Sequence, residues 1–530
     1  MLEPPTLTLP RKPPPGADIE PPARPALQPG PAIRFKLKAF RITGATVFPE
    51  SELQQHLQEQ VGRYIEREVG IVELREAAAL ITRFYARRGF PLATAYLPAQ
   101  EIKDGIVEIV ILEGRYGKVQ LLNRSRASDA TVTAYLEGLP GLIVQEARLE
   151  RQLLLVYDLP GVKPASAVLS PGEVVGETDL HLELDAGRAY SGTVELDNFG
   201  SQFSGANRLS AQLDLFSPTP LGDWFSLRAT KGDPGLEYAH VDYQVPVGGQ
   251  GVRVGTAYSH LRYALGEDFA SLGASGDADM GSVSVTYPIE RSRQRSLYAR
   301  LGYELKSLED RISTTATVTD KKSRLLTLAL SGDYFDNLGG SAANAFSIGY
   351  GQGSLQIETP EAKLIDDASA RTDGSFYKWN WNYTRLQKLT DPLSLLVTFY
   401  GQKAGKNLDS SEKLILGGPY GVRAYPQGEA PSDSGYVLTG ELRYAFNAPA
   451  LPGSWYFSAF VDTGQARLNE VPFSAVPNNR RLSGGGLGVN WAKAEDFALK
   501  LVIAHRIGNT PATSGDDDRT RGWLQAIKYF

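Results

Sequence analysis

The sequence predicts a mainly β protein, in which a 16-stranded antiparallel transmembrane β-barrel follows two small α+β domains. Three observations predict this fold. From residue 188 onward, apolar and polar residues alternate with a period of two, and no helical pattern interrupts them. Aromatic residues collect on the apolar faces of these strands, as the interfaces of a membrane barrel require. Before residue 188, one order of strands and helices occurs twice in succession.

The composition of the 530 residues agrees with this fold and excludes several functions. No stretch approaches 18 consecutive apolar residues, which excludes a transmembrane helix, whereas the alternation of a membrane barrel escapes average hydropathy. The net charge of -5 excludes a strongly basic nucleic-acid binder. The absence of cysteine suits an oxidising envelope compartment, although a cytosolic protein is also compatible with it. No signal peptide is visible after Met1, and we expect that a leader was removed.

Residues 1–33 contain eleven prolines and no periodic pattern, which predicts a linker or an extended segment. Residues 34–114 predict the first α+β module, with Gly89 at the position of a helix C-terminal cap. The predicted elements of this module are helices over Glu50–Val61 and Val72–Arg88 and strands near Ala93–Leu97 and Ile106–Leu112.

Residues 115–187 repeat the plan of the first module. The predicted elements are a strand near Lys118–Leu122, helices near Asp129–Leu136 and Gln145–Leu155, and strands near Ala165–Leu169 and Thr178–Leu184.

Residues 188–530 predict the barrel, because alternating strands of about 9–11 residues are the length that crosses a membrane. A sheet inside lipid must satisfy every backbone hydrogen bond, so it must close. The alternative, a large soluble β-sandwich or propeller, explains the outward tyrosines and tryptophans less well. On the last strand Lys528 shares the apolar face of Phe530, so we expect it to snorkel at the headgroups. The sixteen predicted strands are 189–199, 206–215, 224–232, 236–246, 251–263, 278–288, 295–305, 324–334, 343–351, 376–388, 393–402, 434–446, 455–464, 482–491, 496–506 and 521–530.

The connection between the eleventh and twelfth strands, at about 403–433, is loop 6. It contains the sequence Gly417-Gly418-Pro419-Tyr420-Gly421 followed by Val422, Arg423, Ala424 and Tyr425. On the thirteenth strand, Trp455, Phe457, Ala459 and Val461 form the apolar face. Parity alone therefore points Phe460, Asp462 and Gly464 into the lumen.

The modules, the first barrel hairpins and loop 6 together resemble a two-partner secretion transporter of the hemolysin-activator type, in the Omp85 superfamily. The resemblance covers residues 34–530 and depends on long motifs. These are Phe48-Pro49-Glu50, the run from Tyr85 to Gln100, Glu113-Gly114-Arg115, Leu159-Pro160-Gly161-Val162, Thr178-Asp179-Leu180 and Asp197-Asn198-Phe199-Gly200.

The resemblance implies that both modules are POTRA domains and that the barrel lies in the bacterial outer membrane with the POTRA domains in the periplasm. It also implies that loop 6 folds into the barrel and that Arg423 meets Asp462, with Ala424 replacing the usual glycine. Without the motif, Arg423 would be interpreted as a solvated loop arginine and Asp462 as a solvated lumen carboxylate. The motif, the loop position and the strand parity together favour a contact that fixes the loop.

No catalytic or metal-binding pattern is present, so we expect no enzyme, no metal and no cofactor. The five histidines lack ligand spacing, and cysteine is absent. Gly401 to Lys406 closes a strand and does not open a helix, so it is not a phosphate loop. In the barrel wall we expect a strand bend or a close approach of another group at Gly484-Gly485-Gly486. We expect a solvated turn, more readily than a cation site, at Asp516-Asp517-Asp518.

The expected function is export of an unfolded exoprotein, a TpsA-like partner captured by the POTRA domains, through a monomeric barrel that also contacts outer-membrane lipid. One rival is an Omp85-type factor that assembles other barrels, and another is a passive porin-like channel. The sequence departs from related transporters at its start. They often carry a helix that plugs the pore, which the proline density of residues 1–33 forbids.

Overall fold

The structure is a computed structural model that describes residues 9, 14, 16–19, 34–446 and 452–530. The chain forms two compact units, one over residues 13–187 and one that holds the barrel, residues 188–530. Most of the segment predicted as a linker lies outside the described residues. The predicted boundary between the two modules, residues 34–114 and 115–187, stays a prediction.

The first module is an α+β fold with its own hydrophobic core. Its sheet has the order β3-β6-β5, with β2 and β4 paired separately. Helix α1 buries Leu53, Leu57 and Val61, the apolar stripe predicted from their spacing. The elements up to its end are β1 (Asp18–Ile19), β2 (Phe35–Lys36), β3 (Ala39–Thr43), α1 (Glu50–Val61), β4 (Glu68–Val69), α2 (Ile71–Arg87), β5 (Thr94–Tyr96) and β6 (Ile106–Leu112).

The second module has a separate core around Leu180, Leu182 and Leu184 of its central strand. Its sheet has the order β1-β8-β9-β7, so residues 18–19 join it as an edge strand that the sequence did not predict. No helix among the described residues is long and apolar enough to cross a membrane. The elements of this module are β7 (Arg115–Asn123), α3 (Asp129–Thr133), α4 (Glu146–Tyr157), β8 (Val162–Pro171) and β9 (Glu177–Ala186).

The second unit is a closed antiparallel barrel of sixteen strands, which confirms the predicted fold class. Each strand pairs with its chain neighbour, and the last pairs with the first. The strands are β10 (Tyr190–Asp197), β11 (Gly205–Phe216), β12 (Trp224–Pro234), β13 (Leu236–Val247), β14 (Val252–Ala264), β15 (Ala274–Arg291), β16 (Arg295–Ile312), β17 (Thr317–Asp336), β18 (Ala342–Ile357), β19 (Gly374–Lys388), β20 (Leu393–Ala404), β21 (Ser434–Phe446), β22 (Ser454–Arg467), β23 (Asn479–Lys493), β24 (Phe497–Arg506) and β25 (Thr520–Tyr529).

The two faces of the wall follow the alternation of the sequence. On β17, Leu326, Leu328 and Leu330 are exposed on the outer face, whereas Ser323 and Leu325 are buried on the inner face. An outer surface of large apolar side chains is costly in water and favourable in lipid. The barrel therefore presents a hydrophobic band suited to a membrane.

Strands β15 to β18 extend farthest beyond their predicted bounds, and β17 has 20 residues. Apart from Val318, residues 317–323 are polar, so they give no alternating signal, yet the backbone ladder with β16 continues to Thr317. Helix α5 (Pro360–Ala368), in the connection between β18 and β19, was also not predicted.

Lys528 lies on the outer face, as its parity requires. Its ammonium group pairs with the carboxylate of Asp496 and lies 4.5 Å from the centroid of the Phe497 ring and 5.4 Å from that of Phe530. An ion pair and two aromatic faces satisfy this cation locally, at the end of the barrel where the chain enters and leaves.

Candidate functional site

Loop 6, residues 405–433, folds against the inner face of the barrel wall. It is the sixth connection at the end of the barrel away from the chain termini. Its apolar side chains join a buried cluster with residues of the wall. The members from loop 6 are Leu416, Val422, Ala424, Tyr425 and Ala430, and those from the wall include Val437, Phe460, Ala466, Leu482, Val502, Ala504 and Trp523.

The Arg423 side chain donates three hydrogen bonds to acids of the wall, and only 6% of it is exposed. Its Nε donates to Asp462 Oδ2 at 2.9 Å and its Nη2 to Asp462 Oδ1 at 2.9 Å, which is a bidentate pair. Its backbone N–H also donates to Asp462 Oδ2 at 3.1 Å. Asp462, on β22, is completely buried. The loop and the wall are thus joined through both side chain and backbone.

A second acid, Glu441 on β21, completes the contact. Arg423 Nη1 donates to Glu441 Oε2 at 2.7 Å, and Arg443 Nε donates to Glu441 Oε1 at 2.8 Å. Thr439 donates its hydroxyl proton to Asp462 Oδ1 at 2.8 Å. Parity places Thr439 and Glu441 on the inner face, but the strand register that sets them opposite Asp462 and Phe460 cannot be read from the sequence.

Aromatic side chains hold the arginine from two sides. The guanidinium carbon lies 3.3 Å from the centroid of the Phe460 ring, which is a cation–π contact. The indole Nε1 of Trp523 on β25 donates to the Arg423 carbonyl at 2.7 Å. Phe460 was expected at this site from strand parity, whereas Trp523 was not, because β25 is distant in sequence.

The neighbouring motif residues Val422 and Tyr425 are also buried and hydrogen-bonded. Val422 is buried, and its backbone N–H donates to the Leu416 carbonyl at 2.8 Å, closing a turn within the loop. Tyr425 donates its hydroxyl proton to the Thr510 carbonyl at 3.0 Å, and the Arg506 guanidinium lies 5.0 Å from its ring centroid. The motif therefore contacts the last hairpin of the barrel as well as β22.

Two wall glycines make room for the loop. A Cβ atom at Gly484 on β23 would lie 2.5 Å from the Cβ of Ala424, so the loop tip touches the wall backbone there. A Cβ at Gly464 on β22 would lie 3.1 Å from Leu416 Cδ2 and 3.0 Å from the Tyr436 carbonyl oxygen. Gly484 is a close-approach position of the kind that a glycine in a strand indicates.

Glu429, completely buried, joins loop 6 to the loop between β24 and β25. It accepts backbone hydrogen bonds from Thr513 at 2.8 Å and Ser514 at 2.9 Å, and it pairs with Arg480. Burial alone would raise the pKa of the Glu429 carboxyl, but the Thr513 and Ser514 donors and Arg480 hold it below its ordinary value.

The site contains ion pairs, a cation–π contact and packed apolar groups, which together position a loop. Among the described residues, no group of histidine and acidic side chains could hold a metal ion. In the predicted solvated turn, Asp517 accepts the Ala512 N–H at 2.7 Å and pairs with Arg506 at 2.6 Å. Its charge is satisfied within its own loop.

A closed sixteen-stranded barrel with an inward-folded sixth loop, in a chain that also carries a POTRA domain, defines an outer-membrane transporter of the Omp85 superfamily. The model of the haemolysin secretion/activation protein family ShlB/FhaC/HecB matches residues 176–491, and that of the ShlB-type POTRA domain matches residues 35–114. The chain belongs to the ShlB/FhaC/HecB family, which comprises the TpsB transporters of two-partner secretion. This confirms the family predicted from the motifs.

Named relatives and solved structures agree. The heme/hemopexin transporter protein HuxB of Haemophilus influenzae is 27% identical over 511 residues, which is 94% of this chain and 88% of that protein. The outer membrane transporter CdiB of Dickeya dadantii is 25% identical over 86% of this chain and 80% of its own. The structure of CdiB from Escherichia coli has the same fold, with a TM-score of 0.76 at 18% identity over 96% of this chain and 93% of that one.

Proposed function

We propose that this protein captures one unfolded exoprotein on the periplasmic side with its two modules and exports it through the barrel lumen. The family consists of outer-membrane transporters of partner proteins, and this proposal adds how the partner is recognised. The observation that carries it is a sheet edge in the second module that already holds an extended segment.

That segment is β1, which lies parallel to the edge strand β8. Asp18 is opposite Val168 and Ile19 is opposite Leu169. An edge strand presents unpaired N–H and C=O groups, and addition of an extended peptide satisfies them. An unfolded exoprotein is rich in extended segments, so it is a suitable ligand for the same edge. The pairing within the chain supports β-augmentation as the capture mode.

The first module offers a second place for an extended segment. A cavity of about 120 Å³ lies between its edge strand β3 and helix α1, and Phe40, Gln54 and Leu57 are among its lining residues. Gln54 Nε2 donates to the Phe40 carbonyl at 2.7 Å. The Gln54 amide thus donates to a backbone carbonyl of β3 to which the backbone N–H of an added strand would donate.

Within this proposal, Arg423 fixes loop 6 inside the lumen and sets the closed form of the pore. The proposal assigns no catalytic activity and no cofactor to the chain. A closed barrel has no free sheet edge, which supports a monomeric pore.

Deletion of the gene tests the proposal. We expect one large exoprotein to disappear from the culture medium while the abundance of other outer-membrane barrels stays normal. Loss of many barrel proteins would favour the assembly factor, and an unchanged medium would favour a passive channel. Substitution of Ala167 by proline would then test capture. The N–H of Gly172 donates to Glu177 on β9, so strand alternation directs the Ala167 N–H away from β9 toward the open edge, where proline cannot donate to an added strand. We expect less exported partner with a normal amount of folded barrel.

A further inference from the structure

The base of loop 6 carries two acids that reach a different part of the wall from Arg423. Glu412 has a side chain that is 1% exposed, and its carboxylate pairs with Lys306 on β16 and Lys378 on β19, each at 2.7 Å. Asp409, 8% exposed, pairs with Lys321 on β17 at 3.0 Å. Strands β16, β17 and β19 of the wall therefore each direct a lysine side chain at loop 6.

Further hydrogen bonds hold this part of loop 6 in place. The Lys378 ammonium donates to the Glu412 carbonyl at 3.3 Å, and Gln402 donates to the same carbonyl at 3.1 Å. Asp409 accepts the Ser411 N–H at 3.0 Å, which fixes the turn between the two acids. Both the backbone and the side chains of this segment are thus held.

Apolar packing adds to the charge contacts. Leu408 of loop 6 is buried in a small cluster with side chains of the inner wall, separate from the cluster around Arg423. The wall members are Leu325, Leu355, Ile357, Phe376 and Ala404. The loop therefore packs at two separate sites, or seats, on the inner wall, one on β21 to β25 and one on β16 to β20.

The wall lysines depend on the loop for their counter-charges. Without loop 6, the described part of the wall supplies only Glu304, 3.0 Å from Lys306, and Asp310, 3.1 Å from Lys321. Lys378 would keep no acid within ion-pair distance among the described residues. Removal of the Glu412 charge while loop 6 stays in place would leave Lys306 and Lys378 buried with less counter-charge, which is unfavourable.

We propose that Lys306, Lys321 and Lys378 form a carboxylate-binding site in the barrel wall, that loop 6 occupies it through Glu412 and Asp409, and that this second seat keeps the pore closed independently of Arg423. Loop 6 is then held at both ends, and release of the end at Glu412 and Asp409 widens the lumen even while Arg423 stays bound to Asp462. The proposal concerns ion flow and needs no exported partner, so its failure is distinct from failure of the export proposal.

The test is single-channel recording of the purified full chain in planar lipid bilayers. Glu412→Gln removes the charge at nearly constant volume, and we expect the fraction of time in open states to rise by at least about tenfold, since loss of one partner of a buried ion pair is strongly unfavourable. Asp242→Asn is the matched control. Asp242 lies on the inner face of β13, where it accepts a hydrogen bond from Gln244 and is not ion-paired with any described residue of loop 6. An open fraction equal to that of the unaltered chain would overturn the proposal.

Coupling between the partners separates the ion pairs from a general loss of stability. The double variant Lys306→Met, Lys378→Met should already show the raised open fraction, and adding Glu412→Gln to it should raise that fraction no further. Additive effects would overturn the proposal.

Folding is checked by the heat-dependent electrophoretic shift of the barrel. If Glu412→Gln does not fold, Lys378→Met, which leaves Glu412 paired with Lys306, should give a smaller rise in open fraction, and no rise would overturn the proposal.

Discussion

At the scale of single residues, the structure concentrates its buried charges on loop 6. Arg423, Glu429 and Glu412 each carry a formal charge, and each is less than 10% exposed. Buried charges are unfavourable unless hydrogen-bonded partners surround them, and each of the three has at least two such partners. They define one position of the loop because few other positions would satisfy all of them.

Arg423→Ala should impair export while the barrel still inserts. The substitution leaves Asp462 completely buried without its cation, at a cost of about 3–5 kcal/mol to the seated loop. Arg423→Lys should also fail in part, because an ammonium group cannot make the bidentate pair. The readouts are partner protein in the medium and heat-shifted barrel in the membrane fraction. Arg519→Ala, an exposed loop arginine, is the control, and normal export by Arg423→Ala would contradict the role.

Gly484→Ala should displace the tip of loop 6, because its Cβ would lie 2.5 Å from that of Ala424. Overpacking of this kind costs about 1–3 kcal/mol. Ala424→Gly removes the opposing atom, so the double variant should recover. Protease sensitivity of loop 6 in the folded barrel measures the effect. Gly522→Ala on β25, where a Cβ meets no atom within 4 Å, is the control. A double variant as sensitive as the single one would show that the clash is not the cause.

At the scale of elements, the sequence predicted all sixteen barrel strands, because apolar alternation marks every segment that faces lipid. It underestimated β15 to β18 because polar residues predominate at their outer ends, where apolar residues such as Leu308, Val318 and Leu355 are too few to continue the alternation. The two-residue strands β1, β2 and β4 are too short for any period to show. The wall residues Phe460, Asp462 and Gly464 followed from parity, whereas Glu441 and Trp523 depend on register and closure, which only the folded sheet reveals.

The turn after β6 makes the stability of the first module depend on pH. Glu113 accepts backbone hydrogen bonds from Thr46 at 2.6 Å and Val47 at 2.8 Å and one from the Tyr85 hydroxyl at 2.9 Å. Burial opposes ionisation, but the bonds from Thr46, Val47 and Tyr85 prevail and hold the pKa of Glu113 below its ordinary value. A lowered folded-state pKa contributes stability above the unfolded-state pKa of about 4.3, and this contribution is lost as pH falls through the folded-state value.

We therefore expect a protease to cleave residues 34–114 more readily in urea as pH falls below about 4.5. The Glu113→Gln variant of this module should be less stable at neutral pH, and its stability should depend less on pH. Pulse proteolysis of the full chain, read from fragments of this module, measures both. Tyr85→Phe should lose about 1.5–3 kcal/mol, because it removes one hydrogen bond to a charged carboxylate whose oxygen keeps the Thr46 and Val47 donors. Glu101→Gln, an exposed acid of the same module, is the control. Equal pH profiles for Glu113→Gln and the unaltered chain would exclude this carboxylate as the cause.

At the scale of the whole barrel, closure depends on its shortest strand pair. β10 and β25 pair over five residues, Thr193 to Asp197 with Gln525 to Tyr529, whereas β16 and β17 pair over eighteen. Asn198 extends the seam beyond the ladder, because its Nδ2 donates to the Gly522 carbonyl at 2.9 Å and its Oδ1 accepts the Leu524 N–H at 2.8 Å. One side chain thus supplies two hydrogen bonds where the backbone ladder ends.

Asn198→Ala should lower the temperature at which the barrel loses its compact electrophoretic form, because two hydrogen bonds at about 1 kcal/mol each are lost from the weakest seam. Asn382→Ala on β19, which pairs along 14 residues with β18, should leave that temperature unchanged. The chain has no cysteine, so a cysteine pair introduced at the directly opposed Glu195 and Ile527 can close the seam covalently. If Asn198→Ala acts through the seam, oxidation of that pair should restore the original temperature, and no restoration would place the defect elsewhere in the wall.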